Sequence, residues 1–149
     1  MAWETVLIAI DTNLLVYAFR TAVPEHLAAK KVLESAFDDP RGCGIGLPCI
    51  SEFWSVVTHP SAVGGPSTPA LAAKFIGSLV EQAELHIWLP TEGFANRILK
   101  LAGDLAVTGH RIFDLQIGMI AMEHGAREIW THDQNFRAPP GLRVVDPLR

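Results

Sequence analysis

Residues 6–19 read VLIAIDTNLLVYAF. Val6 to Ile10 is a run of mostly β-branched apolar residues with no polar alternation, as expected of a parallel strand covered on both faces. The apolar run resumes at Leu14 and predicts a buried helix, so strand passes into helix through Asp11, Thr12 and Asn13. That step predicts an α/β fold. It also leaves an anomaly, because the flanks of Asp11 imply burial and burial penalises an unpaired charge.

The rest of the chain repeats the step. Pro24 and Glu25 open a helix with Leu27, Ala28, Val32, Leu33 and Phe37 on one face, the crossover a βαβ unit requires. CGIGLP (43–48) is the second strand candidate, and Ser51 is read as the N-cap of a helix ending near His59 and Pro60. SAVGGPSTP (61–69) reads as a loop, and the helix after it reaches Val80 with Leu71, Phe75, Leu79 and Val80 apolar. LHIWLP (85–90) is a third strand, followed by a helix over about 92–107 carrying Phe94, Ile98, Leu101 and Leu105. A helix over 111–126 has Ile112, Leu115, Met119 and Met122 inward and closes at Gly125; REIWT (127–131) and LRVV (142–145) complete five strands. The expectation is one compact three-layer α/β/α domain over residues 1–149 with a mainly parallel sheet, its strand order open.

Composition agrees. The chain has 149 residues, 49% hydrophobic and 19% charged, which suits a globular core and excludes disorder. A net charge of −4 excludes a strongly basic nucleic-acid binder, so an RNA partner would have to be drawn by local patches. Cys43 and Cys49 match no zinc, redox or disulfide spacing and read as buried free thiols in a reducing cytosol. Glu4 and Asp11 interrupt any signal-peptide pattern and no segment spans a bilayer, so a cytoplasmic protein with no membrane partner is expected.

Four carboxylates fall at equivalent places: Asp11 after the first strand, Glu52 after the second, Asp114 at a helix start and Asp133 after the fourth strand. Open parallel sheets bind ligands beyond the carboxyl ends of their strands, where such acids can converge. Converging carboxylates repel unless a cation compensates, and Mg²⁺ or Mn²⁺ is the natural one. The chemistry expected is metal-assisted phosphodiester hydrolysis. Taken singly, each acid also suits a helix cap, a first-turn dipole position or an Asx turn.

IDTNLLVYAF, ISEFWSVVTHP with the following GGPSTP, FDLQIGMIAMEHGA and IWTHDQNFRAPPGLRVVDPL together resemble the PIN-domain ribonucleases, specifically VapC-type toxins of toxin–antitoxin modules. The resemblance covers nearly the whole chain. It implies a Mg²⁺-dependent endoribonuclease leaving a 5′-phosphate and a 3′-hydroxyl, a homodimer, and a cognate VapB-type antitoxin that sends a basic side chain toward the acids. It implies that Asp11, Glu52, Asp114 and Asp133 form the catalytic pocket, with Asp11 and Asp114 as direct metal ligands. Thr12, Asn13 and Thr131 would orient them, and Phe53 and Trp54 could line an antitoxin groove.

Two positions depart from the family pattern. Asn135 stands where many relatives carry a second Asp, and Gly118 stands where Ala is commoner, a change expected to loosen its helix by about 1 kcal/mol. His132 reads as a solvent-facing neighbour of Asp133. Candidate phosphate contacts are Lys30, Lys31, Lys74, Arg97, Lys100, Arg111 and Arg137, most of them expected to be ordinary solvated charges; His110 and Arg111 could touch RNA, with surface charge the preferred reading. Two rivals remain: a haloacid-dehalogenase-type phosphatase, which would want an Asp at position 13, and a catalytically silent interaction module whose acids receive a partner's basic residues.

Overall fold

The computed structural model describes residues 7–149; Val6 lies outside them. Five strands form one sheet: β1 (Leu7–Ile10), β2 (Cys43–Gly46), β3 (His86–Trp88), β4 (Ala126–Trp130) and β5 (Arg143–Val145). All four pairings are parallel, and the order across the sheet is β3-β2-β1-β4-β5.

The helices are α1 (Thr12–Phe19), α2 (His26–Asp38), α3 (Leu47–Thr58), α4 (Pro69–Gln82), α5 (Phe94–Asp104) and α6 (Arg111–Glu123). From β1 the chain steps outward to β2 and β3 through α1–α4, then returns past β1 to β4 through α5 and α6. Right-handed crossovers in opposite directions place the two helix groups on opposite faces, which gives the three layers. The reversal happens between β1 and β4, the switch point where open sheets form their ligand crevice.

Burial explains the strand sequences. Ile8, Ala9, Ile10, Ile45 and Ile129 are all within a few per cent of full burial, so the sheet centre is covered on both faces. Beside it, Phe19, Phe53 and Phe75 from α1, α3 and α4 pack as an aromatic triple with centroid separations of 5.0 to 5.5 Å. Phe53 is therefore core and not groove; of the pair singled out for a partner surface, only Trp54 reaches solvent. Cys43 and Cys49 are buried and free, and burial pushes the Cys43 thiol up to about 11.

Three expected boundaries move. Helix α3 starts at Leu47, capped at Gly46 with Pro48 in its first turn, so Ser51 is no cap and Glu52 sits in the second turn. A proline there sacrifices no hydrogen bond, because first-turn N–H groups have no partner in the helix. Leu27, Leu71, Val80 and Leu105, which belong to the apolar patterns of their helices, are exposed; α4 turns Ala72 and Ile76 to the core instead. Helix α5 is shorter at both ends than its apolar pattern suggested.

Helix α6 stops as expected, with Gly125 at φ +98° directly after the His124 cap. Its Gly118 has a different role from the one expected. A β-carbon at that position would stand 2.3 Å from Pro139 Cδ and 2.8 Å from Pro139 Cγ. The missing side chain thus admits the loop before β5 against the helix. Gly118→Ala should lose about 1–2 kcal/mol in urea unfolding, since overpacking against a rigid ring outweighs the helix propensity gained. A variant as stable as its parent would show that the loop yields freely.

One buried cation organises a loop. Arg20, just past α1, is almost fully buried. Its guanidinium donates to the Ser67 hydroxyl at 2.8 Å and to the carbonyls of Val57, Val63 and Gly65. It thereby ties the glycine-rich 61–67 stretch to the end of α3.

Candidate active site

Asp11 is fixed by the sheet itself. The β1–β4 ladder runs through Ile10 opposite Trp130, and the Asp11 N–H donates to the Trp130 carbonyl at 3.0 Å. The chain then turns into α1 with Asp11 as N-cap, its Oδ1 accepting from the Thr12 N–H at 2.8 Å. Capping and site placement coincide in one residue, so the two readings of Asp11 are not exclusive.

Thr131, just beyond β4, completes the fixation. Its buried hydroxyl donates to Asp11 Oδ2 at 2.8 Å and accepts from Asn13 Nδ2 at 2.8 Å and the Asp133 N–H at 3.1 Å. Asn13 Nδ2 also reaches Asp11 Oδ2 at 3.2 Å, while its Oδ1 accepts from the His132 N–H. The amide side chain therefore bridges the ends of β1 and β4 and is fully engaged. Thr12 Oγ1 donates to Glu52 Oε1 at 3.2 Å, linking the α3 acid to the same assembly. These polar groups hold the carboxylates in orientation by hydrogen bonds.

Asp114 lies in the first turn of α6, and its Oδ2 accepts from the Arg137 N–H at 3.0 Å. The same loop rests Pro139 on Gly118, one turn further along. Close packing at Gly118 thus supports the loop that orients Asp114. Asp133 turns back on itself, accepting from the Asn135 N–H at 2.9 Å.

All four acids line one cleft of about 560 Å³ at the switch point, together with Asn13, Tyr17, His132 and Asn135. Three donors to Asp11 would ordinarily hold its carboxyl low. Burial, with Glu52 and Asp114 adding repulsion, instead pushes it up to about 6. Burial likewise raises Glu52, with Asp114 adding to the effect, and raises Asp114, with Asp133 adding. Among the described residues, no Lys or Arg forms an ion pair with any of the four. The cleft gathers carboxylates, and no Lys or Arg is among its lining residues.

That donor set fits a hydrated hard cation. Among the described residues, no three His, Cys, Asp or Glu side chains stand close enough to hold an ion by themselves, which excludes a closed structural cage. Mg²⁺ requires less, because it keeps several waters and takes one or two carboxylates plus a substrate phosphate. Oxygen-only donors match its hardness.

Several candidates fall elsewhere. Arg97 is occupied by Glu123 and Thr91, and Lys100 by Asp104. Arg111 is close enough for its charge to act on Asp114, and the Arg137 backbone meets the same carboxylate. His132 does not face solvent alone: its Nδ1 lies 3.0 Å from Asp146, and its ring meets Tyr17 edge-on at 6.1 Å. Arg20, Tyr17 and Asp146 escaped the sequence reading because each acts through partners distant in sequence, Ser67 for Arg20 and His132 for the other two.

The parallel sheet thus gathers the four carboxylates at its switch point. The PIN domain family model matches residues 8–142, and the chain belongs to that family. Ribonuclease VapC48 of Mycobacterium tuberculosis is 28% identical over 138 residues, covering 93% of this chain and 95% of the relative. Ribonuclease VapC33 of the same organism is 25% identical over 139 residues, covering 93% and 96%. Two solved structures share the fold at a TM-score of 0.66. One is M. tuberculosis VapC20, described as a sarcin-ricin loop cleaving toxin, at 12% identity over 87% of this chain and 92% of that one. The other is VapBC2 of Rickettsia felis bound to a promoter DNA fragment, at 16% identity over 94% and 98%. Among the described residues, no helix is long and apolar enough to cross a membrane.

Proposed function

We propose that this protein is a Mg²⁺-dependent endoribonuclease, the toxin of a VapBC-type module, restrained by a cognate antitoxin. The observation that carries the reading is the convergence of Asp11, Glu52, Asp114 and Asp133 in one cleft where, among the described residues, none of them is ion-paired to a Lys or Arg. The family and the ribonuclease names of its relatives support it, and the VapBC2 complex supports an antitoxin partner.

Mg²⁺ held there would supply Lewis acidity toward the phosphate and would lower the pKa of an attacking water. Asp11 and Asp114 would hold it directly, with Mn²⁺ as the alternative ion, and Glu52 and Asp133 would either bind it through water or hold a second ion. The chain's own work is positioning. Thr131 and Asn13 orient Asp11, Thr12 orients Glu52, and the Arg137 N–H orients Asp114. Arg111 and Arg137 are placed to meet RNA phosphates beside the cleft. A homodimer, and an antitoxin basic side chain entering the acidic cleft, complete the proposal.

Asn13 argues against a haloacid-dehalogenase-type phosphatase, since its amide is spent bridging Asp11, Thr131 and His132. The test is incubation with single-stranded RNA in Mg²⁺ and in EDTA. Cleavage to 5′-phosphate ends in Mg²⁺, abolished by EDTA, is expected. Failure of the free protein to bind Mg²⁺ or Mn²⁺ in calorimetric titration would favour a silent interaction module instead.

A further inference from the structure

The acidic cleft continues past Glu52 into a second cavity of similar size, about 570 Å³, of which Glu52 is the shared wall. Leu47 and Pro48 from the first turn of α3 form one side; His110, Phe113 and Gln116 around the start of α6 form the other, with Ser51 at the rim. The two walls differ in kind from the cleft next door. Apart from Glu52 and the His110 imidazole, this lining carries no ionisable side chain.

Phe113 is the informative residue. Helix α6 buries Leu115, Ile117, Met119, Ile120 and Ala121, whereas Phe113 leaves 54% of its surface open. Its ring sits beside that of His110, with centroids 6.3 Å apart and planes tilted by 33°. The cavity thus combines an apolar side, an available aromatic face and two neutral hydrogen-bonding side chains, Ser51 and Gln116. A phosphate fits this lining poorly, having no cation to meet and Glu52 to repel it. A flat, neutral heteroaromatic ring with polar edges fits each part of it.

We infer that this cavity receives a nucleobase of single-stranded RNA adjacent to the phosphate held at the acids, with Phe113 as its stacking face and Ser51 and Gln116 reading its edge. The inference rests on the ribonuclease proposal and adds to it a base-selecting subsite. With few cations near the cleft, a stacked base supplies the register that phosphate contacts alone do not.

The test uses the full chain and short single-stranded RNA of randomised sequence in Mg²⁺, with cut sites mapped by sequencing and molar mass followed by light scattering. The wild-type protein should prefer one base identity next to the cut. Phe113→Ala should lower cleavage at that sequence about tenfold or more and flatten the preference. Phe113→Tyr should preserve both rate and preference, Gln116→Leu should change which base is preferred, and molar mass should not change. Phe113→Ala with unaltered rate and preference overturns the subsite alone. A fall in molar mass with base preference intact overturns it in favour of contact with a second copy of the chain. A wild-type protein that cuts no RNA in Mg²⁺ overturns the ribonuclease proposal, and this inference with it.

Discussion

Replacing Asp11 by Asn is expected to take Mg²⁺-dependent RNA cleavage to background while the protein remains folded. The isosteric amide keeps an acceptor for the Thr12 N–H but cannot supply the charge that a hard cation requires. Stability gives an independent readout. Burial pushes the folded-state pKa of Asp11 from 3.8 up to about 6, so the native protein holds this proton more tightly than the unfolded chain does. The resulting stability is fully present below about pH 4 and is lost as pH rises through about 6, amounting to about 3 kcal/mol. Without Mg²⁺, the urea midpoint of the wild-type protein should therefore fall across that window. In Asp11→Asn the fall should shrink, leaving the smaller contributions of Glu52 and Asp114, whose carboxyls are also raised. Mg²⁺ added at pH 7 should restore the wild-type midpoint and leave the variant's unchanged. Undiminished cleavage by the variant would remove Asp11 from the site.

Much of this arrangement was legible because the informative residues are local. The apolar, β-branched run before Asp11 fits a strand buried on both faces, and the acids recur at strand ends. What escaped depends on contacts between distant segments. The pattern of CGIGLP suits a strand through Pro48, but proline is as acceptable in a helix's first turn, and the tertiary placement of α3 decides between them. Leu27 and Leu71 satisfy helical periodicity yet point outward, because periodicity marks an apolar stripe without saying where the neighbouring element ends. Gly118 looked like a weakness in α6; only the position of Pro139, distant in sequence, shows that a side chain there has no room. His132 shows the same limitation, since its partner Asp146 lies fourteen positions away. Strand order, unreadable from alternation alone, is what turns scattered acids into a single cleft.

Arg20→Ala should cost about 3 kcal/mol in urea unfolding. The side chain is nearly fully buried, and among the described residues no carboxylate pairs with it. Its charge is met by carbonyl dipoles of Val57, Val63 and Gly65 and by the Ser67 hydroxyl. Removing it forfeits several charge-assisted hydrogen bonds and leaves a void behind α1. Val63 and Gly65 are exposed enough for water to recover part of the loss, whereas Val57 is fully buried. Arg20→Lys should rescue little, because one ammonium cannot reproduce donors from two guanidinium nitrogens facing different segments. Limited proteolysis should open the 61–67 stretch first in both variants. The clamp stands at the opposite end of α1 from Thr12 and Asn13, eight residues or about 12 Å along the helix. RNA cleavage by the folded fraction should therefore stay near the wild-type rate. A variant that keeps its stability but loses cleavage would instead place the Arg20 loop in contact with the substrate.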